Sequence, residues 1–343
     1  MGSAAYTATG PRLEDPGQPL AVATGGPAFQ PLNVGYNQVF KPGKLSVGLV
    51  VPIETYTHGP VPDMRHQLER IQLAESLGFA AVWLRDVPYN VPSFGDAGQV
   101  YDPFVYLGAL ATGTERIALG VASIVLPLRH PANVAKAAAS VDALSGGRLI
   151  MGVASGDRPE EFPALNVPFG RRGEMFRESF HYIRKVSAPT PRFDNSYGCV
   201  SGGMDLLPKP VAGQLPLLVT GSSQQSNEWI AANGDGWMTY PRPAAQQRRL
   251  IDDYRAQVET AGEPNKPVME PLYIDLAAHP DTPPTPIHLG LHLGVNHLRA
   301  YLQERQAIGA NHVALNLRFN RANTEDTLVL LAEQVLPEFT HED

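Results

Sequence analysis

The chain has 343 residues, of which 43% are hydrophobic and 18% are charged, the composition of a globular protein with a sizeable core. Its formal net charge is −7 and its lysines and arginines form no continuous run, so nucleic acid and anionic membrane surfaces are not expected as main partners. The single cysteine, Cys199, excludes an internal disulfide and a cysteine-cluster metal site, and it fits a reducing compartment.

The sequence also indicates where in the cell the protein is expected. No apolar segment approaches the roughly 20 residues that span a bilayer, and the N-terminus lacks the charged-then-apolar order of a signal peptide. We therefore expect a cytoplasmic protein without a membrane partner. Residues 1–44 are rich in Gly, Pro, Ala and Thr without periodicity, and they predict an N-terminal arm rather than a core element.

Beyond this arm, short apolar strands alternate with helical patterns. The predicted strands cover residues 45–52, 80–85, 117–126, 149–154, 216–220, 236–240, 269–277 and 312–317. The first predicted helix begins at Asp63 as its N-cap and stops at Gly78. The other predicted helices cover residues 102–113, 131–144, 172–186, 224–233, 243–260, 296–308 and 324–336. Eight strands alternating with eight helices predict an α/β fold of the (β/α)8 TIM-barrel type.

A long connection follows the fourth predicted strand. The barrel domain is expected to cover residues 45–343, with residues 156–214 as an insertion. Without arm and insertion about 240 residues remain, close to the roughly 250 of such a barrel. The insertion ends in a Pro-, Gly- and Asn-rich segment, and its length makes it a candidate lid over the barrel mouth. A doubly wound two-domain fold is the alternative, although no GxGxxG motif follows the first strand.

Residues 117–158, IALGVASIVLPLRHPANVAKAAASVDALSGGRLIMGVASGDR, indicate a strand, a helix and a second strand. Both strands are apolar enough to be buried in a parallel sheet, and Pro131 suits the first turn of the helix. Two such strands joined by a helix form one βαβ unit. The polar residues Ser155-Gly156-Asp157-Arg158 follow the second strand, at the end where α/β folds carry their chemistry.

The exit of the fifth predicted strand is a candidate anion site. Gly221-Ser222-Ser223 follows the strand directly and the predicted helix begins at residue 224. Free N–H groups and hydroxyls at a helix N-terminus bind anions, but serine is also a common helix N-cap. The spacing alone leaves both interpretations open.

Several other polar residues are weaker candidates. His288 and His292 have the i,i+4 spacing of a helical metal pair, but Gly290 and Gly294 argue against a helix there. Glu54 follows the first strand and is a candidate for facing a substrate. No lysine stands at a strand end, which argues against an aldolase or isomerase.

Four segments together resemble the bacterial luciferase-like flavin monooxygenases. They are GVASIVLPLRHPANVAK, VDALSGGR, LIMGVASG and VTGSSQQSNEW, and their order and spacing match the family from Leu45 to about Pro337. The resemblance implies a (β/α)8 barrel with an insertion after the fourth strand. It also implies that FMN, or in some branches a deazaflavin coenzyme, binds in the barrel mouth.

The resemblance further implies cofactor-binding residues. The phosphate would lie at the turn Gly221–Ser226, with Ser222, Ser223 and Ser226 as ligands. A non-proline cis peptide that supports the isoalloxazine ring would fall at Ala122–Ser123. Small residues there would let a flat ring approach the backbone, although they are also ordinary core residues. Tyr240, at the end of the sixth strand, is a candidate wall for the flavin or the substrate.

The chain departs from the family at three positions. Asp86 stands where light-emitting members have a catalytic His, and Ser155 and Ala154 stand where they have a phosphate-binding Arg and a reactive Cys. Ser155 could still donate a hydrogen bond to the phosphate, and Arg158 could replace the lost positive charge. Asp86 is either a catalytic base or a structural ion pair with the adjacent arginine.

The sequence therefore predicts an FMN-dependent oxidoreductase, in particular a two-component monooxygenase. A separate flavin reductase would supply reduced FMN, which with dioxygen would oxidise a small organic substrate. The family also implies a homodimer, for which the alanine-rich face 132–139 is a candidate unless it packs on the barrel.

Two alternatives remain open. One is a deazaflavin-dependent hydride-transfer oxidoreductase, whose larger cofactor tail would need basic residues such as Arg129, Arg158, Arg171 and Arg172. The other is a non-catalytic flavin-binding protein, suggested by the absence of the catalytic His and the reactive Cys.

Overall fold

The fold is a closed parallel barrel surrounded by helices. The computed structural model describes residues 28–56 and 59–340. Its strands are β1 (Ser46–Val50), β2 (Ala81–Leu84), β3 (Ala118–Val125), β4 (Leu149–Ala154), β5 (Arg192–Asn195), β6 (Gly198–Ser201), β7 (Leu217–Thr220), β8 (Gly236–Met238), β9 (Val268–Leu276), β10 (Thr285–Ile287), β11 (Gly290–Leu293) and β12 (His312–Asn316). Eight of them pair in the order β9–β12–β1–β2–β3–β4–β7–β8, and β8 pairs with β9 to close the ring.

A helix follows each barrel strand. The helices are α1 (Val34–Val39), α2 (Gln67–Ser76), α3 (Pro103–Gly113), α4 (Pro131–Leu144), α5 (Glu161–Ala164), α6 (Arg172–Val186), α7 (Asn227–Asn233), α8 (Ala244–Thr260), α9 (Val295–Ala307) and α10 (Thr324–Gln334). All barrel pairings are parallel. The predicted (β/α)8 TIM barrel is thus confirmed, and each predicted strand overlaps one barrel strand.

Two predicted helices begin later than expected. The first begins at Gln67 rather than after Asp63, because the N–H of Asp63 donates to Glu54 Oε1 at 2.6 Å. The carboxylate of Asp63 pairs with Arg65 instead of capping a helix. The helix predicted from residue 224 begins at Asn227, with Ser226 as its N-cap.

The end of the predicted arm belongs to the core. Residues 1–27 lie outside the described part of the chain, but α1 closes the bottom of the barrel, where the strands begin. Tyr36, Val39 and Phe40 are buried in the same cluster as the barrel-interior residues, and the Tyr36 hydroxyl donates to Asp235 O at 2.8 Å. The expectation of an arm outside the core is therefore wrong for this helix, since apolar side chains of a single turn suffice to fill a barrel end.

The insertion after β4 does not cover the mouth along its whole length. Helix α6 lies in the outer helical layer, and β5 and β6 form a hairpin that packs on it through Phe193 and Tyr182, with ring centroids 4.8 Å apart. Farther along, Val211 N–H donates to Asp142 Oδ2 at 2.8 Å and Lys136 Nζ donates to Leu207 O. The Pro-, Gly- and Asn-rich segment thus lies along the outer helix α4 rather than over the mouth as the lid prediction expected.

The interior of the barrel contains Trp83 and His312, both fully buried. Trp83 Nε1 donates to His312 Nε2 at 2.8 Å, so Nδ1 carries the proton that it shares with Ser46 Oγ at 2.7 Å. The Ser46 hydroxyl in turn donates to Val39 O at 2.7 Å. Gly120 leaves space for the indole, because a Cβ there would lie 2.2 Å from the ring of Trp83. The neutral imidazole therefore joins the barrel interior to α1.

This buried imidazole predicts an acid-sensitive stability. Burial lowers the pKa of His312 from 6.5 to about 3. Between pH 6.5 and 3 only the unfolded chain takes up this proton, so the free energy of unfolding should fall by up to about 1.4 kcal/mol per pH unit from this group. Urea unfolding between pH 7 and 4 should show a shallower pH dependence for His312→Gln than for the wild type. The exposed His279, replaced by Gln, is the matched control, and equal slopes in all three proteins would contradict the assignment.

Candidate functional site

The floor of the mouth, where the barrel strands end, is made of small residues. Strand β3 is buried except at Ala122 and Ser123, and Ala154 and Thr220 at the ends of the next two strands are also partly exposed. The Ala122–Ser123 peptide is cis, at the position that the resemblance implies. Ser123 Oγ hydrogen-bonds Thr220 Oγ1 across the floor. These short side chains leave space for a flat ring to approach the backbone of β3.

A turn of residues 221–226, here called the serine turn, borders the floor at the end of β7. Gly221 N–H donates to Met238 O at 2.8 Å, and Trp237 Nε1 donates to Gly221 O at 2.9 Å. The backbone has positive φ at Gly221 (55°), Ser223 (45°) and Gln224 (59°). Strand β8 thus holds both polar groups of Gly221 and fixes where the turn projects.

The three serines of the turn differ in their roles. The Ser223 hydroxyl is buried and donates to Thr220 O at 2.7 Å, and Ser226 Oγ accepts from Trp229 N at 3.3 Å as a helix N-cap. Ser222 is exposed. The N–H groups of Ser222 and Ser223 donate no hydrogen bond within the described residues, so this turn has the features of an anion-binding backbone nest.

Helix α6 begins against the serine turn. Gln225 Nε2 donates to Gly173 O at 2.8 Å, and Arg177 Nε donates to Gln225 Oε1 at 2.9 Å. The adjacent Arg172 lies over the ring of Phe169, with Cζ 3.8 Å from the centroid. Its Nε is buried and has no hydrogen-bond partner within the described residues. The sequence had suggested Arg172 only for a deazaflavin tail, because the approach of α6 to this turn is a tertiary contact.

Ser155 and Arg158 do not join the serine turn through any hydrogen bond among the described residues. Both are buried, with 5% of each exposed. Arg158 Nη2 donates to Asp96 O at 3.2 Å, and its Cζ lies 4.1 Å from the centroid of Phe94. Arg158 therefore extends toward the connection between β2 and α3, away from the place where it was expected to replace a phosphate-binding charge.

Asp86 makes a buried ion pair, but with a different arginine from the one the sequence suggested. Its side chain is 1% exposed. Arg129 binds it through Nε at 3.0 Å and Nη2 at 2.8 Å, and Val125 N–H donates to its Oδ2 at 3.1 Å. Of the two roles that the sequence left open, these contacts favour the structural one, since both oxygens are engaged at the end of β3.

A second charged group occupies the mouth near the ends of β2, β9 and β12. Asp96 Oδ2 lies 2.5 Å from Arg85 Nη1, 3.3 Å from Arg318 Nη1 and 3.4 Å from the hydroxyl of Tyr273. Burial opposes the ionisation of Asp96, but Arg85 and its hydrogen bonds hold the pKa of Asp96 below its ordinary value. Tyr240 at the end of β8 is half-exposed and lies within electrostatic range of Arg85. The sequence marked only the polar strand ends, and it gave no signal for Asp96.

The remaining sequence candidates lie outside the mouth. Glu54 is buried and accepts from Asp63 N and from Gln67 Nε2 at 2.8 Å, so it folds the connection after β1. His292 lies in β11 rather than on a helix and pairs with Asp275 at 2.9 Å. Within residues 28–56 and 59–340 no three His, Cys, Asp or Glu side chains are grouped to hold a metal ion.

No helix in that part of the chain is long and apolar enough to cross a membrane. The alanine-rich face of α4 is buried, because Ala135 and Ala138 pack in the core between helix and barrel. This face is therefore not available to a partner subunit.

Comparison with known proteins agrees with this geometry. The sequence profile of the luciferase-like monooxygenases matches residues 45–280, which cover β1 to the end of β9. The chain belongs to the luciferase-like monooxygenase family. This family assignment confirms the resemblance seen in the sequence.

The curated relatives carry names for different activities. An uncharacterised protein of Mycobacterium tuberculosis is 33% identical over 225 residues, 59% of this chain and 79% of that protein. The F420-dependent hydroxymycolic acid dehydrogenase of the same organism is 28% identical over 228 residues, 65% of this chain and 60% of that protein. The 4-hydroxyprotoasukamycin monooxygenase of Streptomyces nodosus subsp. asukaensis is 24% identical over 219 residues, 62% of this chain and 57% of that protein.

Solved structures share the barrel. A monooxygenase from Streptomyces bottropensis superposes with a TM-score of 0.70 at 20% identity, over 85% of this chain and 99% of that one. An F420-dependent secondary alcohol dehydrogenase superposes with a TM-score of 0.71 at 17% identity, over 87% of this chain and all of that one. At these identities the likeness shows the fold, and the cofactor has to be argued from the site.

Proposed function

We propose that this protein is an FMN-dependent monooxygenase that receives reduced FMN from a separate flavin reductase and oxidises a small organic substrate. The observation that carries the proposal is the floor of the mouth, where Ala122 and Ser123 are the partly exposed part of an otherwise buried strand. Ala154 and Thr220 continue this floor with small side chains. A flat isoalloxazine ring fits against such a surface.

The phosphate of FMN would be held at the serine turn. The unused N–H groups of Ser222 and Ser223 and the buried, unpartnered Nε of Arg172 are the donors that such a group requires. Ser223, Gly221 and the helix cap Ser226 would shape the turn rather than bind through their side chains. Ser155 would contact the cofactor at the end of β4, and Tyr240 would border it at the end of β8.

The charges around the mouth favour FMN over the deazaflavin coenzyme. Of the four arginines that could neutralise a longer anionic tail, Arg129 is paired with two aspartates and Arg171 with Glu174. Arg158 is covered by Phe94. Arg158 and Arg172 each retain a buried N–H without a partner in the described residues, but only Arg172 adjoins Gly173, whose carbonyl accepts from Gln225 of the serine turn. One available guanidinium at this turn suits a single phosphate.

Reduced FMN, when bound, supplies the chemistry that activates dioxygen. The chain itself contributes binding, orientation and exclusion of water. Ala122, Ser123 and Thr220 would orient the ring, and the connection between β2 and α3 covers part of the mouth through the contact of Phe94 with Arg158. A closed, largely dry site limits side reactions with water.

We also propose a homodimer. The exposed apolar side chains of the segment before and within α3 support this, since Val105 is 74% exposed, Tyr101 50% and Val100 47%. Large exposed apolar side chains this close together in the chain are typical of an interaction site. We expect the molar mass of the purified protein, measured by light scattering, to be twice that of one chain.

Calorimetric titration with FMN and with the deazaflavin coenzyme, each oxidised and reduced, tests the cofactor. We expect tight binding of FMN, with preference for the reduced form, and substrate oxidation that depends on both reduced FMN and dioxygen. A preference for the deazaflavin would contradict the proposed monooxygenase and favour a deazaflavin-dependent hydride-transfer enzyme. The similarity to the F420-dependent dehydrogenase would agree with that result. Flavin binding without turnover toward any substrate would leave a flavin-binding protein, and binding of neither cofactor would contradict the proposal.

Asp86 is proposed to position the end of β3 rather than to move a proton. Asp86→Asn should destabilise the protein by about 2 kcal/mol, since hydrogen bonds to charged groups contribute roughly this much, and should weaken FMN binding. Asp102→Asn, which removes the more exposed partner of Arg129 and keeps a helix cap, should cost less than about 1 kcal/mol. Urea unfolding and FMN titration measure both effects. A catalytic base would instead show unchanged stability and FMN affinity with slower turnover and an altered pH–rate profile.

A further inference from the structure

Three guanidinium groups converge on the half of the mouth opposite the serine turn. We call Arg85, Arg158 and Arg318 the arginine cluster. Arg85 follows β2, Arg318 follows β12, and Asp96 contacts both through Oδ2. In the barrel, β3 and β4 separate β2 from β7, while β9 and β8 separate β12 from β7. No hydrogen bond among the described residues joins the cluster to the serine turn.

The carboxylates near this cluster leave Arg158 without a direct side-chain ion pair among the described residues. The Asp96 carboxylate contacts Arg85 and Arg318, whereas Arg158 contacts the main-chain carbonyl of Asp96 instead. Glu161 also lies near Arg158, but no ion pair or side-chain hydrogen bond joins the two in the described residues, and burial raises the pKa of Glu161. Asp157 is exposed to solvent, where its interaction with Arg158 is screened.

Arg158 carries the strongest argument for an anion site at this cluster. It is 5% exposed, and its Nη1 is buried with no hydrogen-bond partner within the described residues. Burial and then the positive charge of Arg85 lower the pKa of Arg158. A buried cation without a paired anion is costly, so an external anion has a physical reason to bind here.

We propose that the arginine cluster binds a carboxylate or sulfonate group of the substrate, so that this enzyme acts on organic anions. Phe94 covers Arg158, and Tyr56 and Phe319 lie 5.0 Å from Arg318 Cζ. These rings offer an apolar rim beside the cations, which suits an organic body attached to the anionic group better than a free inorganic ion. The assignment of this anion to a substrate rests on the proposed flavin-dependent function, whereas the anion site itself does not.

Benzoate and benzamide, which differ in charge but hardly in size, test the site in both the FMN-free and the FMN-saturated protein. Calorimetry should show benzoate binding at least tenfold more tightly than benzamide. Arg158→Gln should remove this preference, and Arg158→Lys should keep part of it. Arg65→Gln, which removes an exposed arginine paired only with Asp63 among the described residues, is the matched control and should bind benzoate like the wild type. Thermal melting checks that each variant is folded.

Each outcome has one consequence. Equal binding of benzoate and benzamide by the folded wild type would overturn the proposal. So would a benzoate preference that survives Arg158→Gln but is lost in FMN-saturated protein, because the anion would then occupy the phosphate site. Arginine-dependent benzoate binding in a protein that binds no FMN would support the anion site while contradicting the proposed cofactor.

Discussion

Replacing Ser123 by Phe is expected to lower the affinity for FMN and for riboflavin at least a hundredfold. Ser123 is partly exposed on the floor of the mouth, where its hydroxyl hydrogen-bonds Thr220 and no other residue of the described part of the chain. An aromatic side chain at this position would occupy the surface against which the isoalloxazine ring is proposed to lie. Both flavins carry this ring, so both should be excluded.

Ser123→Ala is the matched control for this substitution. It keeps the space and removes one neutral hydrogen bond, which contributes about 1 kcal/mol, so FMN affinity should fall no more than about fivefold. Flavin fluorescence titration measures both variants, and circular dichroism with thermal melting verifies the fold. Normal uptake of FMN by a folded Ser123→Phe protein would show that the ring does not bind on β3.

Replacing Ser222 by Asp should weaken FMN at least a hundredfold and leave riboflavin binding within about twofold. Two unit charges 4 Å apart repel by about 1 kcal/mol in water and about 4 kcal/mol near a protein surface, and the phosphate of FMN carries up to two charges. Riboflavin lacks the phosphate. Ser222 is exposed and the turn is held by Trp237 and Met238, so the variant should fold.

Two controls separate charge from shape at this position. Ser222→Asn has the size of the aspartate variant without its charge, and Ser201→Asp places the same charge on the exposed hairpin strand β6. Both should bind FMN nearly as the wild type does. If Ser222→Asp weakens riboflavin as strongly as FMN, or weakens neither, the phosphate does not lie at the serine turn.

The two sites under test were predictable from the sequence to different extents. The βαβ unit of residues 117–158 could be located closely because both strands are apolar and because Pro131 suits the start of the helix between them. Helix α4 does begin at Pro131. Strand β4 has the predicted bounds, Leu149–Ala154. The serine turn was found, but its helix was predicted three residues too early. A local pattern could not reveal that positive φ angles at Ser223 and Gln224 extend the turn.

Other features were missed because they depend on contacts between distant residues. Nothing local in residues 34–40 distinguishes a loose arm from the helix that closes the barrel, since that role depends on packing against the barrel interior around Trp83. The strand pair β10 and β11 arises because β11 pairs with residues 273–276 of β9, beyond the part of β9 that pairs with β8. The HLGLHL segment does alternate with strand periodicity, but so short a run does not reveal which strand it will pair with.

By itself, the sequence determined the alternating strands and helices, hence the parallel barrel, and it placed small residues on β3 and serines after β7. It did so because buried strands and amphipathic helices show as hydrophobic patterns among neighbouring residues of the sequence. Only the tertiary structure decided that Asp86 pairs with Arg129, that the insertion lies along α4, and that Arg85, Arg158 and Arg318 meet around Asp96. These contacts join loops that are far apart in the chain, and they form only when the closing barrel brings the ends of its strands together.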